Sequence, residues 1–306
     1  MKRKIIKIAD KTLVVSLPTA WVQSQNLDKG GEVDVEVADY KLIITPPQDK
    51  LGKKTIELDV KGMSKRVLKW QISSLHKQGY DEIVVLNYDK EQQKTIEWTL
   101  QTLFVGFMVK EKTKLRIVIG QVAVVDAKEF NATLRRAFRL LNTQIEEFIE
   151  AFDKQDASLL HGQIGHEESN NKLTNFCERL LNQTLVEKEK GHFWYVIAWN
   201  LEKISDNFKY MAQYFGDSMI SLSDETMKLL VDLQMYLNSY YELFYNFSFE
   251  KLVKISEQKQ KLEKECLQKL VNTQGHEAIV LHYIHMITLQ AADFSASTIA
   301  INYNGD

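Results

Sequence analysis

The chain begins with a run of short elements, KIADKTLVVSLPTAWVQSQNLDKGGEVDVEV, which spans Lys7–Val37. Leu13–Val15 are predicted as the core of a strand, and we predict that Ser16 caps a helix that Pro18 opens. Gly30–Gly31 predicts a tight turn. After it, valines alternate with acids at the period of a half-buried strand. The stretch therefore predicts a strand, a short helix, a turn and a second strand.

This first segment is too small to form a stable hydrophobic core of its own. A last strand is predicted at Leu42–Thr45, and Pro46 and Pro47 end it because a sheet cannot continue through two prolines. Domains below about 40–50 residues usually need a disulfide, a metal or a partner chain. Residues 1–47 contain no cysteine. We therefore expect two copies to interlock their hairpins, as a homodimer or a higher homo-oligomer.

Charge is distributed unevenly along the 306 residues. Residues 1–124 carry about +6 and residues 125–306 about −8, although the net charge is only −2. Five of the first eleven residues are basic, against one acid, Asp10. A basic tip on an acidic protein predicts contact with nucleic acid at that end. A solvated basic strand without a ligand is the alternative.

Other bulk features set limits on location and chemistry. There is no signal peptide and no long apolar run, so we expect a cytoplasmic protein without membrane insertion. Cys177 and Cys266 are far apart and outside any CxxC pair, which favours small core residues over disulfide or zinc ligands. No nucleophile and base stand at a recognisable spacing, and we predict that the protein is not an enzyme.

Residues 48–124 alternate strand and helix patterns. The predicted elements are strand Thr55–Val60, helix Ser64–Gln78, strand Glu82–Asn87, helix Lys90–Leu103, and strands Val105–Lys110 and Lys114–Gly120. This βαβαββ order predicts a small α/β layer with helices on one face.

Residues 125–306 predict an all-helical domain. They contain no proline and no convincing strand, and six long amphipathic segments follow one another, at 126–153, 157–187, 191–216, 223–247, 249–273 and 275–302. The pattern Lys-Leu-x3-Cys-x3-Leu at Lys172–Leu181 recurs at Lys261–Leu270. We interpret the domain as two three-helix repeats, with chance matching as the alternative. The predicted fold class is α+β, with domains at 1–47, 48–124 and 125–306.

The first segment carries a family resemblance. KTLVVSLPTAWVQSQNLDKGGEVDVEVADYKLIITP, Lys11–Pro46, resembles the AbrB/SpoVT swapped-hairpin domain, which binds DNA as a dimer. That family uses basic residues on the first strand and the loop after it. The resemblance implies six DNA-binding residues here: Lys2, Arg3, Lys4, Lys7, Lys11 and Thr12. The chain has Ala9-Asp10 where family members are often rich in glycine, and an aspartate faces a phosphate poorly.

The helical part carries a second resemblance. AWNLEKISDNFKYMA, Ala198–Ala212, is similar to a helix motif of PhoU proteins, which regulate phosphate uptake and bind metal clusters through acidic pairs. An AbrB-like head before a PhoU-like body resembles archaeal PhoU-type regulators, and the middle α/β segment belongs to the same arrangement. The resemblance implies a DNA-binding transcriptional regulator linked to phosphate uptake or to sensing of metal or phosphate.

Acidic side chains in the helices predict a metal site. Glu202 and Asp206 are four residues apart, so both carboxylates stand on one helical face. Glu167, with Glu168 beside it, would join them from a neighbouring helix, and four oxygens suit a divalent cation or iron. Asp293 occupies the corresponding place in the second repeat. The alternative is that Glu202 and Asp206 pair with Lys203 and Lys209 at the surface.

Two functions remain open from the sequence. The first is the DNA-binding regulator, whose head binds DNA and whose body senses a signal. The second is an adaptor that does not bind DNA, in which the helical body contacts a phosphate transporter or a signalling kinase. In the adaptor, the basic charges of the head could be neutralised without consequence.

Overall fold

The structure, a computed structural model, describes residues 1–8, 11–38, 41–47, 53–122, 128–183, 190–216 and 219–303. It divides into two units, Met1–Lys54 and Thr55–Asp306, called here the head and the body. The head holds short β hairpins and the body holds a small sheet followed by long helices, which confirms the predicted α+β class. The segments predicted as separate domains at 48–124 and 125–306 share one unit from residue 55 onward.

The head consists of two hairpins and one short helix. Its elements are β1 (Ile6–Ile8), β2 (Thr12–Val14), α1 (Thr19–Ser24), β3 (Asp34–Ala38) and β4 (Lys41–Thr45). β1 pairs with β2 and β3 pairs with β4, both antiparallel, in two separate sheets. The prediction that Ser16 caps α1 is wrong. Val22 N–H donates to the carbonyl of Pro18, so the first turn closes at Pro18 and Ser16 lies outside it.

The head buries almost nothing by itself. Among its described residues only Leu27 and Pro46 are buried. Six apolar side chains of the strands are exposed: Ile6, Ile8, Leu13, Val35, Val37 and Leu42. A two-stranded hairpin is marginally stable in water unless further strands or a helix cover its apolar face. The head therefore lacks a core of its own, as the sequence predicts.

The body begins with a four-stranded sheet. Its elements are β5 (Thr55–Asp59), α2 (Lys65–Lys77), β6 (Glu82–Leu86), α3 (Lys90–Leu103), β7 (Phe107–Lys112) and β8 (Arg116–Gln121). The strand order is β5-β6-β8-β7, with β5 and β6 parallel and the other neighbours antiparallel. The predicted βαβαββ order is confirmed, and the last two strands begin two residues later than predicted.

Local signals explain where the two helices of this layer begin. The Ser64 hydroxyl accepts a hydrogen bond from Val67 N–H, and Asp89 forms a capping box with Gln92. Such caps satisfy backbone donors that the first turn of a helix leaves free. The apolar faces of the helices then pack on the sheet in a core whose fully buried members include Leu68, Ile72, Ile83, Ile96 and Ile117.

In the described part of the chain, seven helices follow the sheet: α4 (Glu129–Lys154), α5 (Ala157–Gln183), α6 (Gly191–Phe215), α7 (Asp224–Tyr245), α8 (Phe249–Val271), α9 (His276–Ala292) and α10 (Phe294–Asn302). Over its described residues, each of the first five predicted segments is one helix, and the predicted positions 126–127 and 184–187 lie outside the described residues. The sixth, predicted as one helix over 275–302, is divided at Asp293. There, Asp293 N–H donates to the carbonyl of Gln290, three residues back. This is the spacing of a 3₁₀ turn, which is tighter than an α-helical turn, and α9 ends at it.

The helices group in threes. α4, α5 and α6 contact one another, as do α7, α8 and α9, and the two groups meet through α4 with α7 and α6 with α9. α10 packs mainly on α6, and the division into two three-helix repeats stays a prediction. Cys177 on α5 and Cys266 on α8 are buried and unpaired, which confirms that both are core residues.

Arg179 on α5 joins the helices to the sheet layer. Its side chain is only 2% exposed. One guanidinium nitrogen donates to the carbonyls of His76 at 2.8 Å and Tyr80 at 2.7 Å. The other donates to Gln121 Oε1 at 2.8 Å and lies 3.3 Å from Asp81 Oδ1. These bonds, with the packing of α2 and α3 on α5, explain why the layer and the bundle form one unit.

The His76 ring is buried beside this arginine. It stacks on Phe104 at 3.9 Å between ring centroids and meets the edge of Phe107. Neither ring nitrogen has a hydrogen-bond partner among the described residues. Burial, with the positive charges of Arg179 and Lys77, lowers the pKa of His76 well below 6.5. The native state therefore holds a neutral imidazole.

We expect His76 to make the body less stable in acid. The unfolded chain takes up a proton near pH 6.5 while the native ring does not, so stability falls as pH drops below that value. The loss should be about 1.4 kcal/mol for each pH unit in which the buried ring stays neutral. Urea unfolding of His76→Phe between pH 7 and 5 should show a flatter profile than wild type.

The control for that experiment is His282→Gln, since His282 is exposed. Its profile should follow the wild type. A wild-type slope that persists unchanged in His76→Phe would assign the acid sensitivity to other groups.

Candidate functional site

The predicted DNA-binding residues lie at the start of the head. Lys2, Arg3 and Lys4 precede β1, and Lys7 is in the middle of that strand. Lys11 and Thr12 lie where β2 begins. All six side chains are exposed. The predicted departure from the family pattern at Ala9 and Asp10 lies outside the described residues.

Strand register separates the charge of β1 from its apolar side. Ile6 is opposite Val14, Lys7 opposite Leu13 and Ile8 opposite Thr12. Directly opposed residues of an antiparallel pair share a face, and neighbours along a strand alternate faces. Ile6 and Ile8 thus lie on one face and Lys7 on the other. β1 can therefore bury one face against another chain and present Lys7 to an anionic partner.

The body holds a continuous row of alternating charges, called here the charged row. Its members, in spatial order, are Glu178, Lys77, Glu202, Lys203, Asp206, Lys209 and Glu167. The residues come from three helices, α2, α5 and α6. Every neighbouring pair in the row lies within ion-pair distance.

One end of the row is formed around Lys77. The Lys77 ammonium lies 2.7 Å from Glu178 Oε2 and 3.4 Å from Glu202 Oε2. Burial raises the pKa of Glu178. Burial opposes the charged form of Lys77, but Glu178 and Glu202 outweigh it and raise the pKa of this ammonium. Lys77 therefore stays charged and compensates a buried carboxylate.

The other end of the row is formed around Lys209. Its ammonium lies 2.5 Å from Glu167 Oε1 and 2.8 Å from Asp206 Oδ1. Asn171 Nδ2 donates to the same Glu167 oxygen at 2.6 Å. Burial raises the pKa of Glu167. For Asp206 burial acts in the same direction, but the hydrogen bond and charge of Lys209 outweigh it and lower the pKa overall.

The predicted metal ligands are brought together only in part. Glu167, Glu202 and Asp206 all belong to the charged row. Glu168 and Asp293 form no ion pair with it, and Asp293 is exposed at the break between α9 and α10. Lys203 and Lys209 stand between the carboxylates, the pairing that the sequence offered as an alternative, although half-buried rather than at the open surface.

The donor set does not suit a metal ion in this arrangement. A cation would have to displace the Lys203 and Lys209 ammonium groups from the carboxylates. Across the described parts of the chain, no group of three or more His, Cys, Asp or Glu side chains is placed to hold a metal. Metal binding through Glu202 and Asp206 therefore stays a prediction, and no step of the proposed function depends on it.

All members of the charged row except Glu178 line a polar cavity of about 830 Å³ between α2 and α3 on one side and α5 and α6 on the other. Sequence reasoning missed this cavity. A signal was present on α2, where polar residues recur three or four apart, at Lys65, Arg66, Lys69, Ser73 and Lys77. They lie opposite the apolar stripe that packs on the sheet. A polar face of this kind usually faces solvent, and the cavity forms only because α5 and α6 lie across from it.

Comparison with known proteins bears on the head. Residues 6–51 match the sequence model of the family described as "Antidote-toxin recognition MazE, bacterial antitoxin". The N-terminal segment is a MazE/AbrB-like domain. The match confirms the head part of the resemblance and leaves the PhoU part of it unmatched. Among curated proteins, no sequence matches the chain. Within the described residues, no helix has the length and apolar character needed to cross a membrane.

Proposed function

We propose that the protein is a DNA-binding transcriptional regulator that binds the duplex as a dimer through its head. The observation that carries this proposal is the set of exposed basic side chains at the start of a MazE/AbrB-like domain: Lys2, Arg3, Lys4, Lys7 and Lys11. Lys and Arg side chains bind phosphates without regard to sequence and release counterions. Such contacts set the position of a protein on DNA, and sequence is read by other groups.

A direct test is capture of sequenced genomic fragments by the full-length protein. The proposal predicts that promoter-containing fragments are enriched over a mock capture. No enrichment at low salt would overturn it.

Dimerisation follows from the exposed apolar face of the second hairpin. Val35 is opposite Ile44 and Val37 opposite Leu42, so these four side chains share one face. Val37 is 76% exposed in the single chain. Burying such a face removes apolar area from water at about 25 cal/mol per Å². A second head offers the same face, which supports a dimer with one shared core.

Val37→Asp should weaken that dimer. A carboxylate buried in the shared core would be desolvated without a partner, so the dimer dissociation constant should rise on the order of tenfold or more. Sedimentation velocity of the full chain at micromolar concentration measures it. Gln23→Asp, which adds the same charge at an exposed position of α1, should keep the wild-type constant. An unchanged constant in Val37→Asp, or a monomeric wild type with a folded head, would contradict the shared core.

A second candidate function is recognition of a protein by the head. The description of the matched family names toxin recognition, which favours this candidate. If the head recognises a protein, or if the body acts as an adaptor for a transporter or kinase, the protein need not bind DNA. Neutralising the basic residues of the head would then have no effect on DNA binding. A protein that captures a partner polypeptide from lysate but retains no DNA would fit this second function.

We extend the proposal to phosphate uptake: the regulator would control genes of phosphate transport. This extension is supported by the resemblance of Ala198–Ala212 to the PhoU helix motif, in which Glu202 and Asp206 are the acidic pair. The extension predicts that loss of the gene changes transcript levels of phosphate-transport genes when phosphate is limiting. Unchanged transcripts would leave the regulator proposal standing and remove its phosphate role.

A further inference from the structure

We propose that the polar cavity of the body binds a phosphorylated small molecule, which would be the signal that the regulator senses. The site lies wholly within residues of the body and does not depend on DNA binding by the head. Its position between the sheet layer and the bundle places a ligand against α2, α5 and α6 at once.

Among the described residues, two cations at the edge of the cavity, Arg66 and Lys69, have no acidic partner. Arg66 Cζ lies 4.7 Å from the centre of the Trp70 ring, and Lys69 Nζ lies 5.1 Å from that of Trp98. Within the described structure, neither Arg66 nor Lys69 has a carboxylate within ion-pair distance, whereas their neighbour Lys65 is 2.8 Å from Glu91. The rings hold both cations in place by cation–π attraction and leave their charge available.

The lining of the cavity carries an excess of positive charge. Six basic side chains line it against three acids, Glu167, Glu202 and Asp206. Lys65 and Lys77 also pair with Glu91 and Glu178 outside the lining, so in the described part of the body the charge without a carboxylate is that of Arg66 and Lys69. Each of these three acids is already paired with a lysine of the charged row. The sheet layer as a whole also carries net positive charge, because residues 55–122 contain eleven basic and eight acidic residues. The uncompensated charge therefore favours an anion.

The interior suits a polar molecule rather than an acyl chain. Asn171 Oδ1 is buried without a hydrogen-bond partner in the described structure. Asn175 is 5% exposed and also lines the cavity, together with Ser73 and Thr95. A buried acceptor without a partner is costly, and a hydroxyl or amine of a ligand would satisfy it. The volume of about 830 Å³ falls within the range of small-molecule sites.

These observations select the ligand class. A phosphoryl group places up to two negative charges in one position, which suits two neighbouring cations, and the guanidinium of Arg66 matches phosphate oxygens in pairs. The amides and hydroxyls deeper in the cavity suit a sugar or nucleoside attached to that group. We therefore expect a phosphate ester such as a nucleotide or sugar phosphate.

The test is calorimetric titration of the full chain with ATP, AMP, glucose 6-phosphate and inorganic phosphate. Adenosine and glucose are the neutral counterparts, and citrate is the carboxylate control. We expect at least one phosphate ester to bind and its neutral counterpart not to. Arg66→Ala with Lys69→Ala should raise the dissociation constant on the order of tenfold or more, because two charge-assisted contacts are lost.

The matched control is Lys112→Ala with Lys114→Ala, which removes the same charge from exposed positions outside the cavity. It should bind as the wild type does. Inorganic phosphate binding as tightly as the esters would support the site and assign recognition to the phosphoryl group alone. No binding by any phosphorylated probe, equal binding by neutral counterparts or citrate, or equal binding by the Arg66 and Lys69 variant would overturn the proposal.

DNA binding by the same variant separates this proposal from the regulator proposal. Arg66→Ala with Lys69→Ala should keep wild-type affinity for DNA when no small molecule is present. A large loss of DNA affinity would identify the edge of the cavity as a nucleic-acid surface and would also overturn the small-molecule site.

Discussion

Alanine at four basic positions of the head is expected to lower DNA affinity on the order of a hundredfold or more at moderate salt, since each dimer loses up to roughly eight phosphate contacts. The four positions are Lys2, Arg3, Lys4 and Lys7. Each lost contact should also flatten the plot of log affinity against log salt by about 0.9 units. Because these contacts set position rather than read bases, the loss should be similar for different sequences. Fluorescence anisotropy with promoter fragments at several salt concentrations measures both effects.

The control removes the same charge from the body. It carries alanine at four exposed lysines, Lys228, Lys254, Lys261 and Lys264. A contact surface confined to the head predicts wild-type affinity and a wild-type salt slope for this control. Equal losses in both variants would show that net charge, and not the head, governs binding.

Arg179→Ala is expected to destabilise the body by roughly 3–5 kcal/mol, the range for breaking a buried charged network. The substitution removes the donor to the carbonyls of His76 and Tyr80 and leaves a cavity over Phe107, on which the guanidinium now lies at 4.7 Å. Urea unfolding of the full chain measures the change. Arg179→Lys should also be destabilising, because one ammonium cannot reproduce the planar set of donors.

Arg136→Ala is the matched control, since Arg136 is exposed on α4. It should stay within about 0.5 kcal/mol of the wild type. Hydrogen exchange in Arg179→Ala should rise first in α2 and the sheet, which the arginine attaches to α5. A cost below about 1 kcal/mol, the scale of an ordinary hydrogen bond, would contradict the joining role assigned to this residue.

The sheet layer could be predicted from sequence because its signals are local. Alternation marks the strands, and the caps at Ser64 and Asp89 mark the helix starts within a few residues. The break at Asp293 could not be predicted, because apolar residues continue at helical spacing on both sides of it. Backbone tightening at one position leaves the hydrophobic pattern intact.

For the charged row, residue spacing predicts which side chains share a face of one helix, but not which side chains of different helices meet. The four-residue spacing of Glu202 and Asp206 correctly placed both carboxylates on one face, and their lysine neighbours were visible in the sequence. Lys77 could not be assigned to them, because it is 125 residues from Glu202 and the two meet only because α2 packs on α5, which packs on α6. Arg179 was missed for the same reason.

In the head, by contrast, the main structural feature could be predicted from the sequence. Its need for a partner could be predicted from the small number of apolar residues alone, and the structure shows most of those residues exposed. The alternation along β1 also places Lys7 on the face opposite Ile6 and Ile8. Contact with DNA itself cannot be deduced from one chain, since exposure makes a basic strand available without identifying what it binds.

Site-specific photo-cross-linking tests the central claim, that the head contacts the duplex, most directly. A photoreactive amino acid is placed at Thr12, on the first hairpin beside Lys11, and in a second protein at Gln268, an exposed position of α8. Irradiation with labelled promoter DNA should give a covalent protein–DNA product from position 12 and none from position 268. No product from position 12, or equal products from both, would contradict DNA binding by the head.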